Sequence, residues 1–135
     1  KVTSCQIQFD EVTTAGKTVL RVTVGDKIVP NKSIRVQGAL LAIHLLRSEN
    51  DPRKTCSITE FLKAVLGDSA PTKSPVTRFE GIQGSLKTNY QINLWLDPDS
   101  KMITLPALCF STVVPVDRLK VFRSELAKKQ DRKKK

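Results

Sequence analysis

Val36, Leu40, Ile43 and Leu46 recur at helical spacing, and Leu41, Ala42 and Leu45 fill the flanks between them. A helix of that pattern is apolar around most of its circumference, so other elements must enclose it. With 135 residues, 39% of them apolar, the chain has the material for one such core and one domain. The same apolar run, residues 38–46, is interrupted by His44 and is far shorter than the roughly 18–20 residues that a membrane span requires.

What encloses the helix follows from the pattern on either side. Cys5, Ile7 and Phe9 alternate with Gln6, Gln8 and Asp10, the period-two signature of a half-buried strand. After a turn at Ala15-Gly16, Leu20, Val22 and Val24 alternate with Arg21 and Thr23, which predicts an antiparallel hairpin ahead of the helix. Downstream, Ser57-Ile58-Thr59-Glu60 is a capping box: the Ser57 hydroxyl accepts the Glu60 amide and the Glu60 carboxylate accepts the Ser57 amide. It opens a second helix with Ile58, Leu62 and Val65 on its core face, Cys56 and Phe61 at the staple positions and Gly67 as its stop.

Residues 68–77 hold two prolines and several polar groups without apolar periodicity, and read as a flexible loop. Beyond them, Leu86, Tyr90, Ile92, Leu94 and Leu96 fall on one parity and Ser85, Lys87, Asn89, Gln91, Asn93 and Trp95 on the other. That predicts a long strand over residues 84–96 with one wet face. Asp97-Pro98-Asp99-Ser100 turns the chain into a further strand over residues 101–105. Leu119, Phe122 and Leu126 then mark a C-terminal amphipathic helix. The expected fold is α+β, an antiparallel sheet with helices packed on one face in the order β-β-α-α-β-β-α.

Charge is distributed unevenly. Lys128, Lys129, Arg132, Lys133, Lys134 and Lys135 stand against Asp131 alone, and these last eight residues carry half of the formal net charge of +10. The organisation expected is a single core domain over residues 1–127 followed by a basic, disordered tail over residues 128–135. Such an arm seeks polyanions, either phosphate backbones or an anionic membrane surface. The chain opens on Lys1 rather than Met, which reads as a processed product or an excised fragment.

Catalytic chemistry is poorly represented. The six glycines form neither G-x-G-x-x-G nor a Walker pattern, and Asp97 and Asp99 belong to a turn rather than to an acid/base pair. Cys5, Cys56 and Cys109 are an odd, widely spaced set beside a single His44, which fits a reducing compartment and supports neither a zinc site nor a thiol nucleophile. The expectation is no enzyme, no metal and no cofactor. Trp95 and Lys87, both on the polar face of the expected strand, are a candidate contact surface. An aromatic among donors can stack on a base, whereas a Trp covered by a helix or another subunit would have no such role.

In order of features the chain resembles the core of rhabdovirus matrix proteins. The residues carrying the likeness are Leu20-Arg21-Val22-Thr23-Val24, Ala39-Leu40-Leu41-Ala42-Ile43-His44, and the run Phe61-Leu62-Lys63-Ala64-Val65-Leu66-Gly67-Asp68-Ser69. After a proline-containing loop come Gly84-Ser85-Leu86 and the alternating stretch ending Leu94-Trp95-Leu96-Asp97-Pro98-Asp99-Ser100. The resemblance implies a non-enzymatic viral structural protein that associates with itself, binds and condenses nucleocapsid RNA, and contacts the anionic membrane surface peripherally. It implies a place in the virion beneath the envelope, and in host cytoplasm and nucleus. It also makes Asp68, Ser69, Ala70, Pro71, Thr72, Lys73, Ser74 and Pro75 a self-association or membrane loop. Two features depart from the family: the strongest basic run is C-terminal, and Asp68-Ser69-Ala70-Pro71 lacks the first proline of a Pro-Ser/Thr-Ala-Pro budding motif. From the residues alone the runner-up is a nucleic-acid-binding module with a basic C-terminal arm.

The capping box gives the first test. Ser57→Ala is expected to lower stability by on the order of 1 kcal/mol in denaturant unfolding while leaving ligand affinity unchanged at matched folded fraction.

Overall fold

The computed structural model describes residues 6–30, 32–48, 55–67, 75–106 and 108–133. The chain runs β1 (Gln6–Thr14), β2 (Lys17–Val24), β3 (Lys27–Ile28), α1 (Ile34–Ser48), β4 (Thr55–Ser57) and α2 (Ile58–Leu66). It continues through α3 (Pro75–Tyr90), β5 (Trp95–Leu96), β6 (Met102–Thr104), β7 (Cys109–Thr112) and α4 (Val116–Lys133). The class is α+β as expected, but the order and the sheet arrangement are richer than the pattern suggested.

The expected hairpin is β1 and β2, antiparallel in the register Ile7↔Val24 and Phe9↔Val22. Its two-residue turn puts Ala15 at φ 54° and Gly16 at φ 76°, the positive angles of a type I′ turn whose twist matches the strands it joins. Ile7, Phe9, Leu20, Val22 and Val24 are all buried and lie on one face. The opposite face is wet, with Asp10 paired to Arg21 at 3.2 Å across the strands.

The sheet is mixed rather than antiparallel. Its order is β3-β2-β1-β7, and β7 joins β1 in parallel, Gln6↔Cys109 to Phe9↔Thr112. A second sheet, order β4-β6-β5, is antiparallel throughout and closes through the turn at Asp97. There the Asp97 carboxylate accepts the Ser100 hydroxyl at 2.6 Å and the Ser100 amide at 3.2 Å, which lowers its pKa and confirms it as turn chemistry.

α1 is the enclosed helix the sequence demanded: Ala39, Leu40, Leu41, Ala42, Ile43 and Leu45 are buried. His44 and Phe9 rings meet at 5.5 Å, so α1 lies on the apolar face of the first sheet. α2, α3 and α4 pack around it. The capping box of α2 forms as expected, with Ser57 Oγ accepting Glu60 N–H at 3.0 Å and Glu60 Oε1 accepting Ser57 N–H at 3.3 Å. Gly67 ends the helix at φ 64°, and a Cβ there would lie 2.8 Å from the Ala127 Cβ, so only glycine lets α2 and α4 approach this closely.

The long strand expected over residues 84–96 is not a strand. Residues 75–90 are α3, with Phe79, Ile82, Leu86 and Tyr90 buried along one side, and only Trp95 and Leu96 are extended in β5. Leu86 and Tyr90 satisfy a period of two as well as a helical i, i+4 spacing, and Phe79 and Ile82 upstream decide for the helix. Pro75 opens α3, where its missing N–H is no loss. It therefore belongs to a helix rather than to the expected loop, as does Thr77. Residues 68–74, the remainder of that loop, lie outside the described residues. α3 ends where Gln91 takes φ 56°, its N–H reaching the Lys87 carbonyl at 3.1 Å.

α3 carries two glycines that the packing does not explain. A Cβ at Gly81 or Gly84 would meet no atom within 4 Å, and neither has a positive φ. Gly84→Ala is therefore expected to stabilise the fold by about 0.5–1 kcal/mol, through the intrinsic helix preference alone. Loss of stability in denaturant unfolding would mean that residue 84 is not in an exposed helix.

Candidate polyanion interface

The strongest charge feature of the sequence is built onto α4. Val114 is buried just ahead of it, Pro115 accepts the Leu119 N–H at 3.0 Å, and Asp117 sits in the first turn, where a negative charge suits the helix dipole. Leu119, Phe122 and Leu126 are buried, and α4 packs on α1 and α2. Arg118 is committed locally: its Nε donates to Glu11 Oε1 at 2.9 Å and its guanidinium lies 4.5 Å over the Phe122 ring. Glu11 shares the parity of Ile7 and Phe9 on β1, so this contact ties α4 to the helix-covered face of the sheet.

The basic run was expected as a disordered tail. Instead α4 extends to Lys133, so Lys128, Lys129, Arg132 and Lys133 continue its helical backbone for about 9 Å at 1.5 Å per residue. Cations at a helix C-terminus face the negative end of the dipole, which favours this continuation. Lys134 and Lys135 lie outside the described residues.

Two cations that sequence reasoning did not single out adjoin this end. Lys63 and Arg123, with Ala64, Gly67, Ser124 and Ala127, line an open groove of about 340 Å³ between α2 and α4. Arg123 could have been found as the basic residue preceding the tail on the same helix. Lys63 could not, because only the packing of α2 on α4 brings it there. Together they prolong the positive end of α4 into the body of the domain.

The second candidate surface holds together less well. Trp95 and Lys87 were expected on one strand, but Lys87 is exposed in the last turn of α3 and Trp95 lies on β5. No hydrogen bond or ring contact joins them among the described residues. Trp95 is 65% exposed, so no helix among the described residues covers it. Its cross-strand neighbours are Thr104 and then Thr55, both exposed, which gives the second sheet an open row of Thr-Thr-Trp.

No protein-family model matches the chain, and no curated protein or solved structure does either. Among the described residues no three His, Cys, Asp or Glu side chains gather as a metal site. Cys56 is buried and Cys109 exposed.

His44 is accounted for by packing. It is half-buried, with its ring 5.5 Å from that of Phe9 and 4.6 Å from that of Phe110. Burial penalises the imidazolium and lowers the pKa below the ordinary 6.5. The unfolded chain then binds more protons than the folded one just below pH 6.5, so this contribution is full above that pH and is lost as pH falls. Because His44 is the chain's single histidine, unfolding free energy is expected to decline from pH 7 to pH 5.5 in the wild type and to decline less in His44→Leu. Identical pH profiles would show that the imidazole is not desolvated.

Proposed function

We propose that this chain is a non-enzymatic assembly protein of the rhabdovirus matrix kind, which associates with itself, binds nucleocapsid RNA through the basic end of α4, and lies peripherally against an anionic membrane. The observation that carries this reading is the seating of α4. Its apolar side is fixed on α1 and α2 and by the Arg118–Glu11 pair, while Lys128, Lys129, Arg132 and Lys133 follow on the same helix. Cations held on a helix lose less conformational freedom on binding phosphate than cations on a free arm. The order β2, α1, α2 agrees with the resemblance. Its long strand does not, because residues 84–90 are helix, and that half of the likeness falls away. No described helix is long and apolar enough to cross a membrane, which is compatible with peripheral contact.

A second reading, a nucleic-acid-binding module using Trp95 as a stacking surface, is favoured by the exposure of that side chain on an open sheet row. The two readings separate in one experiment. RNA affinity, followed by the fluorescence of the single Trp or by anisotropy of labelled RNA, is expected to fall with salt at a log–log slope of roughly −4 to −5, from counterion release at six basic groups. Removing residues 128–135 is expected to flatten most of that slope. Unchanged affinity and slope would reduce the basic end to a solubiliser, and a larger loss in Trp95→Ala than in the truncated chain would favour the stacking module.

A further inference from the structure

Residues 102–116 contain no charged side chain, fifteen consecutive positions in a chain that is 27% charged. They comprise β6, β7 and the approach to α4. β7 is at the end of the first sheet, hydrogen-bonded to β1 on one side and to no strand on the other among the described residues. Cys109 and Ser111 are exposed, and Val113 and Val116, which follow directly, are 87% and 48% exposed.

The two edges of this sheet are treated differently. At the far edge β3 is two residues long, carries Lys27, and has that ammonium tied to the Asn89 carbonyl at 3.1 Å. A short edge with a lysine is how soluble proteins block unwanted strand pairing. β7 has neither charge nor proline within the strand, and it is held in shape from inside. Phe110 stacks on Phe9 at 5.8 Å with an 8° interplanar angle, and the Thr112 hydroxyl lies 3.2 Å from the Phe9 carbonyl and accepts the Val114 N–H at 2.9 Å.

We infer that β7 is the edge through which two copies of this chain pair, β7 against β7 in antiparallel fashion about a twofold axis, so that one sheet runs through both. This rests on the self-association in the function proposed above and names its surface. A second copy is the occupant because an edge strand is complementary to itself under a twofold axis. Electrostatics points the same way. Each chain carries +10, so two copies repel over most of their surface and least along an edge strand that brings no charge of its own. Val113 and Val116 add apolar surface that pairing removes from water.

The test is sedimentation velocity on the full chain over a concentration series, without RNA. The wild type is expected to shift from monomer to dimer. Ser111→Lys, which brings two like charges together across the new ladder at a position exposed in the monomer, is expected to weaken dimerisation at least tenfold. Thr14→Lys at the hairpin tip adds the same charge away from the edge and is expected to dimerise as the wild type does. Circular dichroism verifies that both variants are folded. As a second measurement, Ser111→Cys in a Cys5→Ser, Cys109→Ser background is expected to form a disulfide-linked dimer on mild oxidation, because residues near the dyad face their own copies. A wild type that self-associates while Ser111→Lys does so equally would overturn the β7 edge and leave self-association standing. A wild type that stays monomeric at every concentration would overturn both.

Discussion

The parallel ladder between β1 and β7 is the constraint on which the rest of the molecule depends. It joins residues 6–9 to residues 109–112, with about a hundred residues between them. A parallel pair cannot be closed by a tight turn and needs a crossover, and here the crossover is most of the domain: β2, β3, α1, the second sheet, α2 and α3. Closing so long a loop is entropically unfavourable, so side-chain packing must support the ladder. Phe9, His44 and Phe110 do this from strand, helix and strand in turn. The same ladder sets the start of α4, since Val114 and Pro115 follow β7 directly and Arg118 reaches back to Glu11 on β1.

Much of the architecture was legible because local chemistry and tertiary packing agree. The hairpin, the enclosed helix α1, the capped helix α2, the Asp97 turn and the buried stripe of α4 all follow from patterns within about a dozen residues. The failures have three physical sources. At residues 84–90 apolar positions fit both periods, and Gly81 and Gly84 weaken the helix signal without any packing role visible from sequence. β7 is short, and its pairing with β1 is set by residues a hundred positions away, so no local pattern announces it. The basic run was legible in composition but not in conformation. It continues an amphipathic helix whose dipole it complements, whereas blocks of like charge are usually read as disorder.

The candidate site was only partly legible for a similar reason. Lys128, Lys129, Arg132 and Lys133 are contiguous in sequence, so any charge count finds them. Lys63 and Arg123 enter only through the approach of α2 to α4, and Gly67 permits that approach. Trp95 and Lys87 show the converse. They stood together on an expected strand and separate once residues 75–90 are helical.

Charge and its absence divide the molecule into two kinds of surface, and the division limits how copies can assemble. Twofold pairing through β7 uses that edge completely, and the other edge of the same sheet is blunted by Lys27. Growth by strand addition along this sheet therefore stops at two copies. A dimer so formed carries two basic helices, each beginning a few residues beyond the shared edge. Once the first helix is on RNA, the second meets phosphate at a high effective concentration, either further along the same strand or on a neighbouring one. In the proposed function, RNA is condensed by a closed dimer acting as a bivalent cationic bridge, and a polymeric protein contact is not required for it.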